Sequence, residues 1–309
     1  MRVTLTGATG LIGARLVRAL TVRGDQVTVL SRDAARAAAE LGVETAAWDP
    51  LAGPAPAGAL AGRDAVVHLA GEPVAQRWSA DARRRIRESR VRGTANLVAG
   101  LRDAEPRPRA LVSASAVGYY GARGDEELDE SAPPGEDFLA RVCVAWEEAA
   151  QAAERDGVRV ARLRTGVVLD PAGGALAKML PPFRAGVGGP VAGGRQWMPW
   201  IHVDDLVGLY LAALDGERWS GAFNATAPAP ATNRDFSKAF GRVLRRPALA
   251  PVPRLALRLL YGEMEQIVTT GQRAVPRRAL ELGFRFAHPE LGEALRAALG
   301  RGQPSSART

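Results

Sequence analysis

The hydrophobic pattern changes period repeatedly along the first half of the chain. Val3 to Thr6 is a short apolar run with β-branched residues, cut off by glycines, and reads as a buried strand. From Leu11 to Arg23, apolar residues fall at helical spacing: Leu11, Ile12, Leu16, Val17 and Leu20. The alternation then continues. Gln26–Leu30 reads as strand, Ala34–Leu41 as an Ala-rich helix, and Val43–Ala47 and Asp64–Leu69 as strands. Ser79–Leu101 is a long arginine-rich helical stretch, Arg109–Ser113 a strand, Glu136–Asp156 a helix and Val158–Leu163 a strand. Strands alternating with helices predict βαβ units, hence an α/β fold with a Rossmann-like, doubly wound parallel sheet.

The pattern weakens after residue 168. Segment 170–200 is rich in Gly and Pro, and Trp197, Met198, Pro199 and Trp200 predict an ordered, packed loop there. Helices follow at Val203–Leu214 and Asn233–Leu244, and again near Arg254–Leu260 and Pro289–Leu299. The expected organisation is a nucleotide-binding domain over 1–168, to which later segments return. A smaller substrate-side α/β region covers 169–250, a C-terminal module 251–300 and a disordered tail 301–309.

Composition narrows the function classes. One cysteine, Cys143, excludes a disulfide framework and any Cys-cluster metal site, and fits a reducing cytoplasm. The three histidines (His68, His202, His288) share no ligand spacing, so no metal site is expected. The net charge of +8 is spread along the chain without aromatic interleaving, so nucleic acid is not an expected partner. No apolar stretch is long enough for a membrane span, and the glycine-broken N-terminus is not a signal peptide. A cytoplasmic monomer or homodimer acting on a small molecule is the resulting expectation.

The candidate chemistry opens at Thr6-Gly7-Ala8-Thr9-Gly10-Leu11-Ile12-Gly13, between a predicted strand and a predicted helix. That is where a dinucleotide loop must lie. One glycine permits a tight turn, one lets the backbone approach a pyrophosphate, and one lets helix and strand pack closely. Unpaired N–H groups at the helix start then face the phosphate. Gly7, Thr9, Gly10, Leu11, Ile12 and Gly13 are therefore candidate cofactor contacts. The second strand ends in Ser31-Arg32, with no acidic residue at its tip, which suits a 2′-phosphate and points to NADP(H). Asp49 either reaches the adenine edge or is a turn residue before Pro50. His68 reads as a packed strand histidine. The small residues after it, Leu69-Ala70-Gly71, leave room for a ribose. Arg195, with Trp197, Met198 and Trp200, either lines a substrate pocket or belongs to a packed loop.

These motifs, taken together, resemble the extended, epimerase/dehydratase-like branch of the short-chain dehydrogenase/reductase superfamily. They are most similar to its atypical "epimerase family protein" subgroup, whose chains end in a domain of unknown function, DUF1731. Besides the glycine loop, the matching pieces are Val67-His68-Leu69-Ala70-Gly71-Glu72-Pro73, Ser89-Arg90-Val91-Arg92-Gly93-Thr94 and Ser113 through Gly121. Arg164-Thr165-Gly166-Val167-Val168-Leu169, Trp200 through Leu206, Gly271-Gln272-Arg273 and Gly283-Phe284-Arg285-Phe286 complete the set. The resemblance implies a Rossmann domain, an NADP-type cofactor and a smaller C-terminal substrate region. It implies that Ser115 bonds the reacting oxygen, with Tyr119 and Tyr120 in the same loop. It also implies that Arg164, Thr165, Gly166 and Val167 line the nicotinamide, and that Arg90 stands where relatives carry an active-site Asn. Glu72 and Ser113 fall in matched cofactor-side pieces.

One departure is decisive for mechanism. The superfamily's acid–base pair is Tyr-x-x-x-Lys, in which Lys lowers the Tyr pKa. This chain has four tyrosines (Tyr119, Tyr120, Tyr210, Tyr261), and the residues four positions on are Arg123, Gly124, Leu214 and Glu265. On the helix expected to carry the pair, Leu139 and Cys143 occupy the two places. Either Tyr119 or Tyr120 supplies the proton instead, or the chain binds NADP(H) without turnover, as a regulator or scaffold. Cys143 as a nucleophile lacks a paired histidine and reads as a buried structural thiol.

Overall fold

The computed structural model describes residues 1–253, 257–259 and 262–301. Its centre is a seven-stranded, all-parallel sheet in the order β11-β7-β5-β4-β1-β2-β3. The strands are β1 (Arg2–Thr6), β2 (Gln26–Ser31), β3 (Glu44–Ala47), β4 (Ala65–His68), β5 (Ala110–Ala116), β7 (Arg159–Thr165) and β11 (Gly221–Ala225). The helices α1 (Leu11–Arg23), α2 (Ala34–Leu41), α3 (Ala80–Asp103) and α4 (Phe138–Gln151) follow β1, β2, β4 and β5. The order reverses between β1 and β4, and that reversal opens a crevice at the strand ends.

Successive strand residues face opposite layers, so each strand feeds two cores. Leu5, Val67, Val112, Leu163 and Phe223 pack with Leu16 and Leu20 of α1. Leu206 and Leu209 of α6 (Val203–Asp215) close the same layer. Val66, Leu111 and Val160 pack on the other face with Leu97 and Leu101 of α3. This two-faced burial is why the strands read as continuous apolar runs.

The second half departs from expectation in two places. Segment 170–200 is not simply a loop. Just after β8 (Val167–Leu169), it carries α5 (Gly174–Arg184), β9 (Trp197–Met198) and the start of β10 (Trp200–His202). Pro181 and Pro182 lie inside α5 and hide it from sequence, since each lacks a helical N–H donor. The helix persists because Leu176, Leu180 and Phe183 enter a third apolar cluster with Phe236 and Phe240 of α7 (Asn233–Leu244). The strand β11 was also not expected. Its Gly-Ala-Phe-Asn-Ala sequence has little strand propensity, but Phe223 stacks on Trp219 with centroids 4.5 Å apart and seats it against β7.

The C-terminal module is stitched to the sheet rather than separate. Its β13 (Arg273–Ala274) pairs with β6 (Glu127–Leu128), and Asn224 Nδ2 donates to the carbonyls of Leu128 and Val275 at 3.1 and 2.9 Å. The two-residue β12 (Ala231–Thr232) pairs with β9. Short helices α8 (Gln266–Thr269) and α9 (Arg277–Glu281) lead to α10 (Leu291–Ala298), which packs on α7. Of the helix expected near 254–260, residues 257–259 are helical and the rest lies outside the described residues, as does the expected tail at 302–309. Among the described residues, no helix is long and apolar enough to cross a membrane.

Leu97 is fully buried between α3 and the sheet. Leu97→Ala is expected to cost about 2–5 kcal/mol in urea unfolding with an unchanged far-ultraviolet circular dichroism spectrum.

Candidate active site

The glycine loop lies across the crevice at the strand-order reversal. Gly7 has φ 68°, and a Cβ there would sit 2.7 Å from the Ala70 nitrogen at the end of β4. A Cβ on Gly13 would lie 2.4 Å from the Gly7 carbonyl oxygen. Both glycines are thus required by close approach, one across the crevice and one between helix and strand. Gly10 caps α1 without a side-chain hydrogen bond, and no acidic residue follows in the first turn. The N–H groups and positive dipole end of α1 are left for an anion, so the loop fits a dinucleotide pyrophosphate. Leu11 packs against Gly173, so segment 170–174 borders the same loop.

Beneath the crevice, Thr6 Oγ1 accepts the N–H groups of Leu69 (3.2 Å) and Ala70 (3.3 Å). Its own proton must then go to His68 Nδ1 at 2.7 Å, which leaves Nε2–H to donate to Thr94 Oγ1 at 3.0 Å. His68 is therefore a neutral strut, as its packed reading implied. Burial, with the nearby Arg90 charge, pushes its pKa down to about 4.

At the β2 tip, Ser31 Oγ bonds the backbone of Asp33, and the Asp33 carboxylate caps α2. Arg32 is exposed and has no ion-pair partner among the described residues. Asp49 accepts the Leu51 N–H at 3.0 Å, as a turn residue does. Arg90 donates to the carbonyls of Glu72 and Ile86 and lies over the Trp146 ring at 5.0 Å. A Cβ on Gly71 would stand 3.3 Å from the Arg90 Cζ, so Arg90 braces this turn. Glu72 accepts from Gln76 at 3.0 Å, and buried Ser113 bonds the Ala114 carbonyl.

The reaction end is organised by a buried ion pair. Arg164 Nε and Nη2 donate to the two oxygens of Glu147 at 2.8 and 3.0 Å, and both side chains are buried. Arg164 Nη1 donates to Tyr120 Oη at 2.9 Å, and its Cζ lies 3.5 Å from the Tyr119 ring centre. These contacts correct two sequence expectations. The Arg164 guanidinium is committed inside the protein, so only its backbone remains for a cofactor. Tyr120 is fully buried and donates to Asn224 Oδ1 at 2.7 Å, so its hydroxyl is already committed, and burial pushes its pKa up to about 12. Tyr119 is half-buried, and its hydroxyl makes no hydrogen bond among the described residues.

Ser115 at the end of β5 donates to Glu147 Oε1 at 2.6 Å, which leaves its lone pairs to accept from another hydroxyl. Cys143 is buried, and burial and the neighbouring Glu147 push its thiol up to about 12, as for a structural thiol. Gly166 is required where the chain leaves the sheet, since a Cβ would lie 2.1 Å from the Pro199 oxygen. Thr165 Oγ1 turns back to the Leu163 carbonyl, and Val167 N–H donates to Pro199. Of the proposed aromatic lining, Trp200 is fully buried and bonds Ala229, whereas Trp197 is half-buried, bonds Asp125 and lies under Arg273. Sequence reasoning missed Glu147 and Asn224 as site-forming groups. Their only signal was a polar residue on an otherwise apolar stretch.

A glycine loop at the sheet's reversal, with a Ser–Tyr loop at the end of β5, defines a dinucleotide-binding α/β protein of the short-chain dehydrogenase kind. The chain belongs to the NAD dependent epimerase/dehydratase family, whose profile matches residues 3–225, and the DUF1731 profile matches residues 252–298. It is 43% identical to the chloroplastic epimerase family protein SDR39U1 homolog of Arabidopsis thaliana, over 96% of this chain and 86% of that one. It is 41% identical to the epimerase family protein Mb2239 of Mycobacterium bovis, over 95% and 96%. The crystal structure of human epimerase family protein SDR39U1 (isoform2) with NADPH superposes with a TM-score of 0.87 at 36% identity, covering 97% of this chain and 99% of that one.

Two outcomes follow from this geometry. Glu147→Gln removes the charge that balances buried Arg164 and is expected to cost about 3–5 kcal/mol in urea unfolding. The His68 pKa also makes stability depend on pH. Between its ordinary 6.5 and about 4, the unfolded chain binds a proton that the folded chain refuses, so stability falls as pH drops through that window. Urea midpoints for the wild type and His68→Gln should diverge least near neutrality in slope and most in this window, with the variant flatter.

Proposed function

We propose that this chain is an NADP(H)-dependent oxidoreductase or epimerase-like enzyme acting on a small molecule with a hydroxyl or carbonyl carbon. The uncapped glycine-loop helix with the unpaired Arg32 at the neighbouring strand tip carries the reading. Arg32 offers a planar fork for a 2′-phosphate, and the neighbouring Asp33 carboxylate is taken up in capping α2. The NADPH bound by the human relative supports the same cofactor. Gly7, Thr9, Gly10, Leu11, Ile12 and Gly13 would hold the pyrophosphate, and Leu69, Ala70 and Gly71 the ribose side. The backbone of Thr165-Gly166-Val167 would face the nicotinamide, which supplies hydride transfer when bound.

The protein's own part is orientation and proton handling. Ser115 accepts from a substrate hydroxyl through the lone pairs its Glu147 bond leaves open. Tyr119 exchanges the proton, because it alone of the tyrosine pair keeps an uncommitted hydroxyl. The Arg164 guanidinium lies beneath its ring and holds it in place at the end of β5.

A second reading rests on Leu139 and Cys143 in the places of the Tyr-x-x-x-Lys pair: an NADP(H)-binding protein without turnover, acting as a regulator or scaffold. Calorimetric titration should show NADPH binding at least tenfold tighter than NADH (about 1.4 kcal/mol), with Arg32→Ala abolishing the difference. Equal affinities sink the 2′-phosphate assignment. In a substrate screen with NADPH, Ser115→Ala and Tyr119→Phe should each lower kcat by about 10²-fold or more while NADPH affinity holds. Full activity in Tyr119→Phe removes it from the mechanism, and tight NADPH binding with no turnover on any substrate favours the second reading.

A further inference from the structure

Two of the three histidines, far apart in sequence, meet in the fold. His202 ends β10 and caps α6, its Nδ1 accepting the Asp204 N–H at 3.2 Å. His288 arrives from the C-terminal module, in the loop between α9 and α10. The two imidazole centroids are 4.0 Å apart, with planes inclined at 47°. The three histidines share no ligand spacing in the sequence, and this pairing arises only in the fold. Spacing along the chain could not report it, because the two residues come from different elements on either side of the module boundary.

The tandem aspartates at the start of α6 divide the work. Asp205 is buried and accepts the backbone N–H groups of Ala287 (2.6 Å) and His288 (3.0 Å), which fixes the His288 backbone against α6. Asp204 is left for the imidazoles. Its Oδ2 lies 3.6 Å from His202 Nδ1 and 4.0 Å from His288 Nε2. These separations are too long for hydrogen bonds. One donor atom from each of His202, Asp204 and His288 lies within 4.8 Å of the other two. The His202 side chain is only 4% exposed, and its Nε2 has no hydrogen-bond partner. With Nδ1 taken by the Asp204 N–H, Nε2 is the His202 nitrogen left for a further partner, and the Asp204 carboxylate and the His288 imidazole lie beside the same ring.

We propose that His202, Asp204 and His288 form a binding site for a first-row divalent cation of the zinc class, clipping the C-terminal module to the start of α6. Two imidazoles and one carboxylate are a donor set such cations take, with a fourth position for water. Tetrahedral bonds of about 2.0–2.2 Å place donors about 3.3 Å apart, so the cluster must contract by up to about 1.5 Å. Asp204 has the freedom to do so, since its side chain is 65% exposed, and His288 is 24% exposed and reachable from solvent. The site shares no residue with the Ser115–Tyr119 loop or the glycine loop, so it goes beyond the oxidoreductase reading and stands without it.

The test uses the full chain without a histidine tag, stripped of metal by a chelator. Calorimetric titration with ZnCl₂ should show one saturable cation per chain, and Co²⁺ should give the visible absorption of a tetrahedral site. Zn²⁺ should also raise the thermal midpoint. Asp204→Ala and His288→Ala, chosen because both residues reach the surface, should each weaken Zn²⁺ binding at least tenfold and remove the midpoint shift. NADPH affinity should be the same in all three proteins. Absence of saturable binding overturns the proposal. So does binding of equal strength in the wild type and both variants, which would place the cation elsewhere. Should His288→Ala lower stability without metal, the Co²⁺ spectrum of Asp204→Ala decides: an unchanged spectrum removes Asp204, and the site with it.

Discussion

A guanidinium and a carboxylate buried together, Arg164 on β7 and Glu147 on α4, set the arrangement of everything at the reacting end of this protein. Neither charge is tolerable alone in that interior, and their bidentate geometry is what offsets the loss of water. Once formed, the pair has donors and acceptors to spare. It takes the Ser115 proton, holds the Tyr120 hydroxyl and lies against the Tyr119 ring. Through Tyr120 it reaches Asn224 on the edge strand, and through Asn224 the backbone of the C-terminal module. One ion pair thus connects the end of β5, the edge of the sheet and the module.

The other end of the site obeys a steric constraint rather than an electrostatic one. The β1–α1 turn approaches the end of β4 so closely that any side chain at residue 7 would collide with backbone. Closeness there brings the start of α1 to the mouth of the crevice, where its free N–H groups can meet phosphate oxygens. The Thr6–His68–Thr94 chain holds the same two strands together from beneath, with Thr6 donating to His68 and His68 to Thr94. A charged His68 would break that pattern, since both ring nitrogens would then donate.

The C-terminal module depends on polar pins as well as apolar packing. Asp205, Asn224 and Thr226 each hold module backbone, and Phe284 packs on Trp219 edge-on at 6.2 Å. A pin at the start of α6 brings His288 beside His202.

Local sequence by itself determined the nucleotide half. Period-2 and period-3.6 patterning placed α1, α2 and α7 at their observed limits, and the glycine loop could lie only between a strand and a helix. The missing Tyr-x-x-x-Lys pair was likewise legible, because absence of a local motif needs no structure to see. Tertiary structure decided the rest. β11 and α5 exist because Phe223 and Phe183 find cores to enter, against weak propensity and two prolines. Tyr119 and Tyr120 are adjacent and chemically identical, yet only packing sends one hydroxyl to Asn224 and leaves the other uncommitted. Glu147 with Arg164, and His202 with His288, are pairs closed by the fold across long stretches of chain. Pattern reports what neighbouring residues can do together. Which distant side chains share a desolvated space is settled only when the backbone closes around them.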